Sequence, residues 1–82
     1  MIMSNILRKI DNEDHTYVRF VLSGGAGWID KIIPTGEPEE GRRIAEDYAA
    51  KHLGGRVLRV RVYPHSYPFV ARILALEGHI IV

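Results

Sequence analysis

The chain contains no cysteine, which excludes disulfide staples and thiolate metal sites alike. It has no apolar run approaching the ~20 residues that a helix needs to span a bilayer. Its start, Met1-Ile2-Met3-Ser4-Asn5-Ile6-Leu7, carries neither a basic n-region nor a long apolar core, so it does not read as a signal peptide. Neither sign of charge dominates: eleven Lys/Arg stand against ten Asp/Glu, for a net charge of +1. That is too small to imply a nucleic-acid partner by itself. There is no internal repeat, linker or low-complexity segment. What is present is 82 residues of which 46% are hydrophobic and 26% charged, the composition of one globular domain, residues 1–82. That length is near the lower limit at which a single core suffices. The expected setting is soluble and cytoplasmic, with no membrane partner.

Recognisable catalytic or ligating patterns are missing as well. His15, His52, His65 and His79 fall one to a segment, and no two share a helical or strand spacing that would pair them on a metal. Gly24-Gly25-Ala26-Gly27 resembles a phosphate loop only in its glycines. A dinucleotide or P-loop motif must open a helix, and here a strand-like run follows. Ser4, Ser23 and Ser66 lie outside any nucleophile-elbow context. Asp11, Glu13 and Asp14 lack the spacing and closing glutamate of a calcium loop. No enzymatic activity, cofactor or metal is therefore expected.

The apolar pattern predicts an α+β domain. Residues 15–23 alternate as a strand, with Val18, Phe20 and Leu22 on one face and Tyr17, Arg19 and Val21 on the other. Residues 5–10 read as its hairpin partner, a short helix through Ile6, Leu7 and Ile10 being the alternative. The glycines at 24–27 predict a turn into a third strand, 28–33, stopped by Pro34. The strongest local signal is a helix over 38–53. Pro38 and the acids Glu37, Glu39 and Glu40 suit its first turn, and Ile44, Ala45, Tyr48, Ala49, His52 and Leu53 form an apolar stripe. Glu39–Arg43, Arg42–Glu46 and Asp47–Lys51 are expected as i,i+4 pairs, and Gly54 as the helix stop. A strand at 57–63 follows, directing Leu58, Val60 and Val62 to the helix and Arg59, Arg61 and Tyr63 away. Residues 67–76 favour a second short helix over a hairpin strand, with a terminal strand after it. The expectation is thus an antiparallel sheet of four or five strands with one main helix on one face. Its core would comprise Val18, Phe20, Leu22, Ile44, Tyr48, Leu53, Leu58, Val60 and Val62.

Two surfaces stand out as binding candidates. The first is the sheet face carrying Tyr17, Arg19, Trp28, Lys31, Arg59, Arg61 and Tyr63. Tyr, Trp and Arg dominate protein-interface hot spots, and the same mixture stacks on bases and contacts phosphates. The second is the acidic helix face, Glu39, Glu40, Glu46 and Asp47, which presents carboxylates where a DNA-binding groove expects phosphates. Charge is uneven along the chain: residues 1–55 hold seven Lys/Arg against nine Asp/Glu, and residues 56–82 hold four Arg against one Glu.

The segment Pro38–Tyr63 runs Glu-Glu-Gly-Arg-Arg-Ile-Ala-Glu-Asp-Tyr-Ala-Ala-Lys-His-Leu-Gly-Gly-Arg-Val-Leu from Glu39 to Leu58. This helix-to-strand unit resembles one found in small phage-encoded anti-CRISPR proteins that act on type I systems. The likeness is architectural and covers about a third of the chain, so it transfers no functional residue. It implies a stoichiometric inhibitor in the host-cell cytoplasm, docking on a CRISPR effector complex and blocking target DNA binding. The alternative is a small nucleic-acid-binding protein that uses the Arg/Tyr face of its sheet. Separately, a monomer or weak dimer is expected, because the apolar terminal strand Ile80-Ile81-Val82 offers a sheet edge for pairing with a second chain.

Overall fold

A computed structural model describes residues 3–82; Met1 and Ile2, the start of the run read for a targeting signal, lie outside them. The described residues form α1 (Met3–Asp11), β1 (Thr16–Leu22), β2 (Trp28–Ile33), α2 (Pro38–Tyr48), β3 (Val57–Pro64) and α3 (Pro68–Leu76). The fold is α+β, with an antiparallel sheet of three strands in the order β2-β1-β3. Two findings make it smaller than the four or five strands expected. The segment 5–10 belongs to α1, because Ile6 and Ile10, one helical turn apart, are both buried against the sheet and α3 while Arg8 and Lys9 face solvent. The terminal segment contributes a single parallel bridge, Ile32 to Ile80, in which Ile32 N–H donates to His79 O and Ile81 N–H to Ile32 O.

Because side chains alternate along a strand, β1 divides the interior into two halves. On one face Val18, Phe20 and Ile33 pack with Ala45, Ala49, Leu53 and Ile81, so α2 and its extension cover that side. On the other, Tyr17 and Ile32 pack with Ile6 and Ile10 of α1 and Ala71 and Ala75 of α3. Helices thus lie on both faces, where one main helix on a single face was expected. Burying an Ile or Phe side chain contributes roughly 1.5–3 kcal/mol, so the second half, which includes α1, is a substantial share of the core.

The expected core is partly borne out. Val18, Phe20 and Leu53 are buried, while Leu22, Ile44, Tyr48, Val60 and Val62 are half-buried at its margin. Leu58 is 67% exposed. The reason is a bulge: Val21 pairs with Arg59 but Leu22 pairs with Val57, so Leu58 is the extra residue and leaves the inward-facing row.

The main helix starts as its sequence suggests. The Glu37 carboxylate accepts from the backbone N–H groups of Glu39 and Glu40, and Pro38 occupies the first turn. Its last turn widens into a π turn over Ala49–Leu53, which keeps Ala49 and Leu53 buried together. Gly54 then turns the chain with φ of 57°. At Gly41 the helix lies so close to β1 that a Cβ would stand 2.8 Å from Thr16 Oγ1. Residues 68–76 are helical as favoured; the N-cap position is Tyr67, whose backbone lies in the left-handed region and whose side chain makes no capping bond.

Candidate functional site

The α1–α3 layer covers only the Tyr17, Ile32 and Tyr63 end of its sheet face. The opposite end carries Arg19, Val21, Trp28, Asp30, Arg59 and Arg61, with Trp28, Arg59 and Arg61 exposed. Six of the seven residues predicted for this surface therefore share one face: Tyr17, Arg19, Trp28, Arg59, Arg61 and Tyr63. Lys31 does not. It sits one residue out of phase, opposite Val18, and its ammonium lies 5.7 Å from the Tyr48 ring centre on the α2 side.

The hairpin register places Asp30 directly opposite Arg19. The Arg19 guanidinium donates to both carboxylate oxygens, Nε to Oδ1 at 2.9 Å and Nη2 to Oδ2 at 3.0 Å, and Tyr17 Oη donates to Oδ2 at 2.5 Å. Such a bidentate fork is stronger and more directional than an ordinary surface ion pair. Trp28 stacks on the same guanidinium, 4.5 Å from ring centre to Cζ. Burial pushes the Asp30 carboxyl up, but the bonds from Arg19 and Tyr17 outweigh it and hold the group below the ordinary carboxylate range. The bond to Asp30 holds Arg19 firmly protonated. Burial, reinforced by Asp30, pushes the Tyr17 phenol up. This trio is a fixed structural element whose acceptors are already engaged.

Beside it lies a depression of about 210 Å³ lined by Tyr17, Arg19, Tyr63, Tyr67 and Val70. Its three tyrosine rings pack edge to face, with centroids 5.4–6.1 Å apart. Tyr67 reaches them from the β3–α3 loop, and two histidines hold that loop in place. His15, fully buried, donates from Nε2 to Ser66 O at 2.7 Å, and the His65 ring bonds to Glu13 O. Glu13, His65 and Tyr67 all have positive φ, a costly conformation for side-chain-bearing residues that the interlocked loops impose. The backbone N–H of Gly36 donates to Asp14 at 2.9 Å, which lowers that carboxyl's pKa and ties in the β2–α2 loop. These histidines are loop clamps. Among the described residues no three metal-ligating His, Asp or Glu side chains gather.

The alternative acidic surface, Glu39, Glu40, Glu46 and Asp47, is exposed on α2 but largely charge-paired. Arg42 meets Glu46 and Lys51 meets Asp47 at i,i+4, while Arg43 meets Glu40 at i,i+3 where Glu39 was the predicted partner. With Glu40, Glu46 and Asp47 paired to neighbouring bases, this surface presents a weakened phosphate-like field.

A further exposed surface was not anticipated. On α3, Phe69 is 77% exposed and Leu76 59%, with Val70 and Ile73 also open to solvent. These four follow i, i+1, i+4 and i+7 spacing and make one apolar stripe. Ala71 and Ala75 occupy the inward face, so the larger side chains are the ones left outside. Asp30, Tyr67 and this stripe were missed. Asp30 was detectable as the residue facing Arg19 across the 24–27 turn. The exposure of the stripe carried no signal, because a short apolar helix reads equally well as buried. No protein-family model, curated protein or solved structure matches the chain. No helix of the described residues is long and apolar enough to cross a membrane.

Proposed function

We propose that this chain is a small non-enzymatic binding protein that acts by docking on a larger protein, as a stoichiometric inhibitor would. The observation that carries this reading is the α3 stripe. Phe69, Val70, Ile73 and Leu76 are presented to solvent by a helix whose one charged residue, Arg72, is already paired with Asp11 at 2.9 Å. A contiguous uncharged stripe of this kind marks a protein contact, and aromatic anchors contribute most of the energy in such contacts. The basic sheet end nearby, Arg19, Arg59 and Arg61 against Asp30 alone, selects a partner surface that is apolar at its centre and acidic at its rim. The engaged acids of α2 favour this surface over the acidic helix face.

The anti-CRISPR resemblance names the inhibited target: an effector complex of a type I system in a host-cell cytoplasm, prevented from binding DNA. Size-exclusion chromatography with a purified type I effector complex tests it. Co-elution is expected, with target-DNA binding falling in proportion to inhibitor added, and Phe69→Glu with Leu76→Glu abolishing both effects. Failure to co-elute, together with unchanged phage plating on hosts with active type I systems, removes the CRISPR target from the reading.

One observation favours a second reading. Arg59 and Arg61 have no ion-pair partner among the described residues and share their sheet face with exposed Trp28, which lies across β1 from them, an arrangement suited to single-stranded nucleic acid. Nucleic-acid affinity would fall steeply with salt through counterion release. If the protein alone shifts labelled RNA or DNA at physiological salt, and Arg59→Ala with Arg61→Ala abolishes the shift, this second reading replaces the first.

A further inference from the structure

We propose that the tyrosine-lined depression on the sheet is an anchor pocket for one aromatic ring bearing or flanked by a carboxylate, the acidic-aromatic element of the protein partner. This rests on the docking reading and names the chemistry its partner must present at this point. Size is the first argument. About 210 Å³ is below the roughly 300–1,000 Å³ of sites built for whole small molecules, but it matches a single side-chain ring.

The walls are the second argument. Tyr17, Tyr63 and Tyr67 offer ring edges and faces, and Val70 closes the side toward α3. An entering ring therefore finds edge-to-face partners and apolar contact. The Tyr17 side chain is held by Asp30, and the clamp at Ser66 O positions the Tyr67 backbone, which limits the ordering entropy lost when a ring enters.

Polarity is the third argument, and it decides the charge of the ligand. The Asp30 oxygens already accept from Tyr17 and from two nitrogens of Arg19. Arg19 Nη1 and the Tyr63 and Tyr67 hydroxyls have no hydrogen-bond partner among the described residues. Arg61 stands next to Arg19 across the β1–β3 ladder, and Arg59 lies two residues further along. The rim thus has donors to spare and net positive charge, which favours a carboxylate and repels an ammonium group.

The pocket is tested by titrating the isotope-labelled full chain with indole-3-acetate, tryptamine and indole-3-acetamide while following backbone amide shifts. The expected result is shifts confined to residues 17–19, 61–63 and 67–70, with the acid binding about tenfold or more tighter than the amine. Tyr67→Asn removes one wall yet suits the left-handed backbone there. It should weaken indole-3-acetate by about tenfold while the protein stays folded by amide dispersion. Arg61→Ala should narrow the preference for acid over amine. Equal binding of acid and amine, scattered shifts, or an undiminished Tyr67→Asn complex would overturn the proposal. So would a mononucleotide that occupies the same residues more tightly than the indole acid, which would assign the pocket to a base. Effector co-elution depends on Phe69 and Leu76, and indole-acid binding on Tyr67 and Arg61, so a failure of the pocket and a failure of the docking reading are told apart by which pair of substitutions is without effect.

Discussion

Phe20 and Leu58 read alike in the sequence, as inward-facing residues of two strands, yet the fold treats them in opposite ways. Phe20 is fully buried and packs against Tyr48 with ring centroids 5.6 Å apart. Leu58 is the bulged residue of β3 and lies in solvent. Truncating Phe20 to Ala removes the largest fully buried side chain and leaves a cavity between the sheet and α2, at a cost of about 3–5 kcal/mol. A domain of this length has roughly 4–12 kcal/mol of total stability, at about 0.05–0.15 kcal/mol per residue. The loss would lower the melting temperature by about 12–40 °C, at roughly 4–8 °C per kcal/mol, or unfold the protein at room temperature. Leu58→Ala should stay within about 0.5 kcal/mol of the parent. Both variants are measured by thermal melts in circular dichroism, with urea titrations to confirm that the slope is unchanged. Equal shifts for the two, or a folded Phe20→Ala protein with an unchanged melting temperature, would refute both the bulge and the core described for this face.

Other consequences are equally direct. Gly41→Ala, which helix propensity alone would make stabilising by about 1 kcal/mol, should destabilise by on the order of 1–3 kcal/mol. The new Cβ would meet Thr16, itself buried and bonded to Thr35 O; a raised melting temperature would contradict the close helix–sheet approach. Asp14 and Asp30 have folded-state pKa values below the ordinary 3.8, so their contribution is complete above about pH 4 and is lost as pH falls through the lower folded values. Melts between pH 2 and 6 should show this acid limb, and Asp30→Asn should make it shallower while lowering stability at neutral pH. Phe69→Glu with Leu76→Glu should leave the melting temperature within a few degrees, because both side chains are exposed, and should raise the solubility limit. A large loss of stability would mean that the stripe packs inside the molecule.

The sequence by itself determined whatever depends on neighbours along the chain. The start of α2, its apolar stripe, the glycine turn between β1 and β2 and the alternation that puts Tyr17 with Arg19 are set by dihedral preference and side-chain period over a few residues. Local pattern left Ile6, Leu7 and Ile10 open to either strand or helix. Only the presence of Ala71 and Ala75 opposite them, more than sixty residues away, makes the helix the form that buries them. The bulge at Leu58 likewise follows from how β3 registers on β1, and a one-residue slip reverses which side chains face the core. Six of the candidate surface residues shared a face because strand alternation is local. Trp28 and Lys31, three residues apart on β2, cannot share a face, and the pairing of β2 with β1 decides that Trp28 is the one on this face and Lys31 is not. The Tyr67 wall of the pocket needed loops 13–15 and 65–67 to lock through His15 and His65, contacts some fifty residues apart in the chain. The exposure of Phe69 and Leu76 was decided last: α1 and the sheet accept only the alanine side of α3, and which face of an apolar helix is left outside depends on the shape of what it packs against.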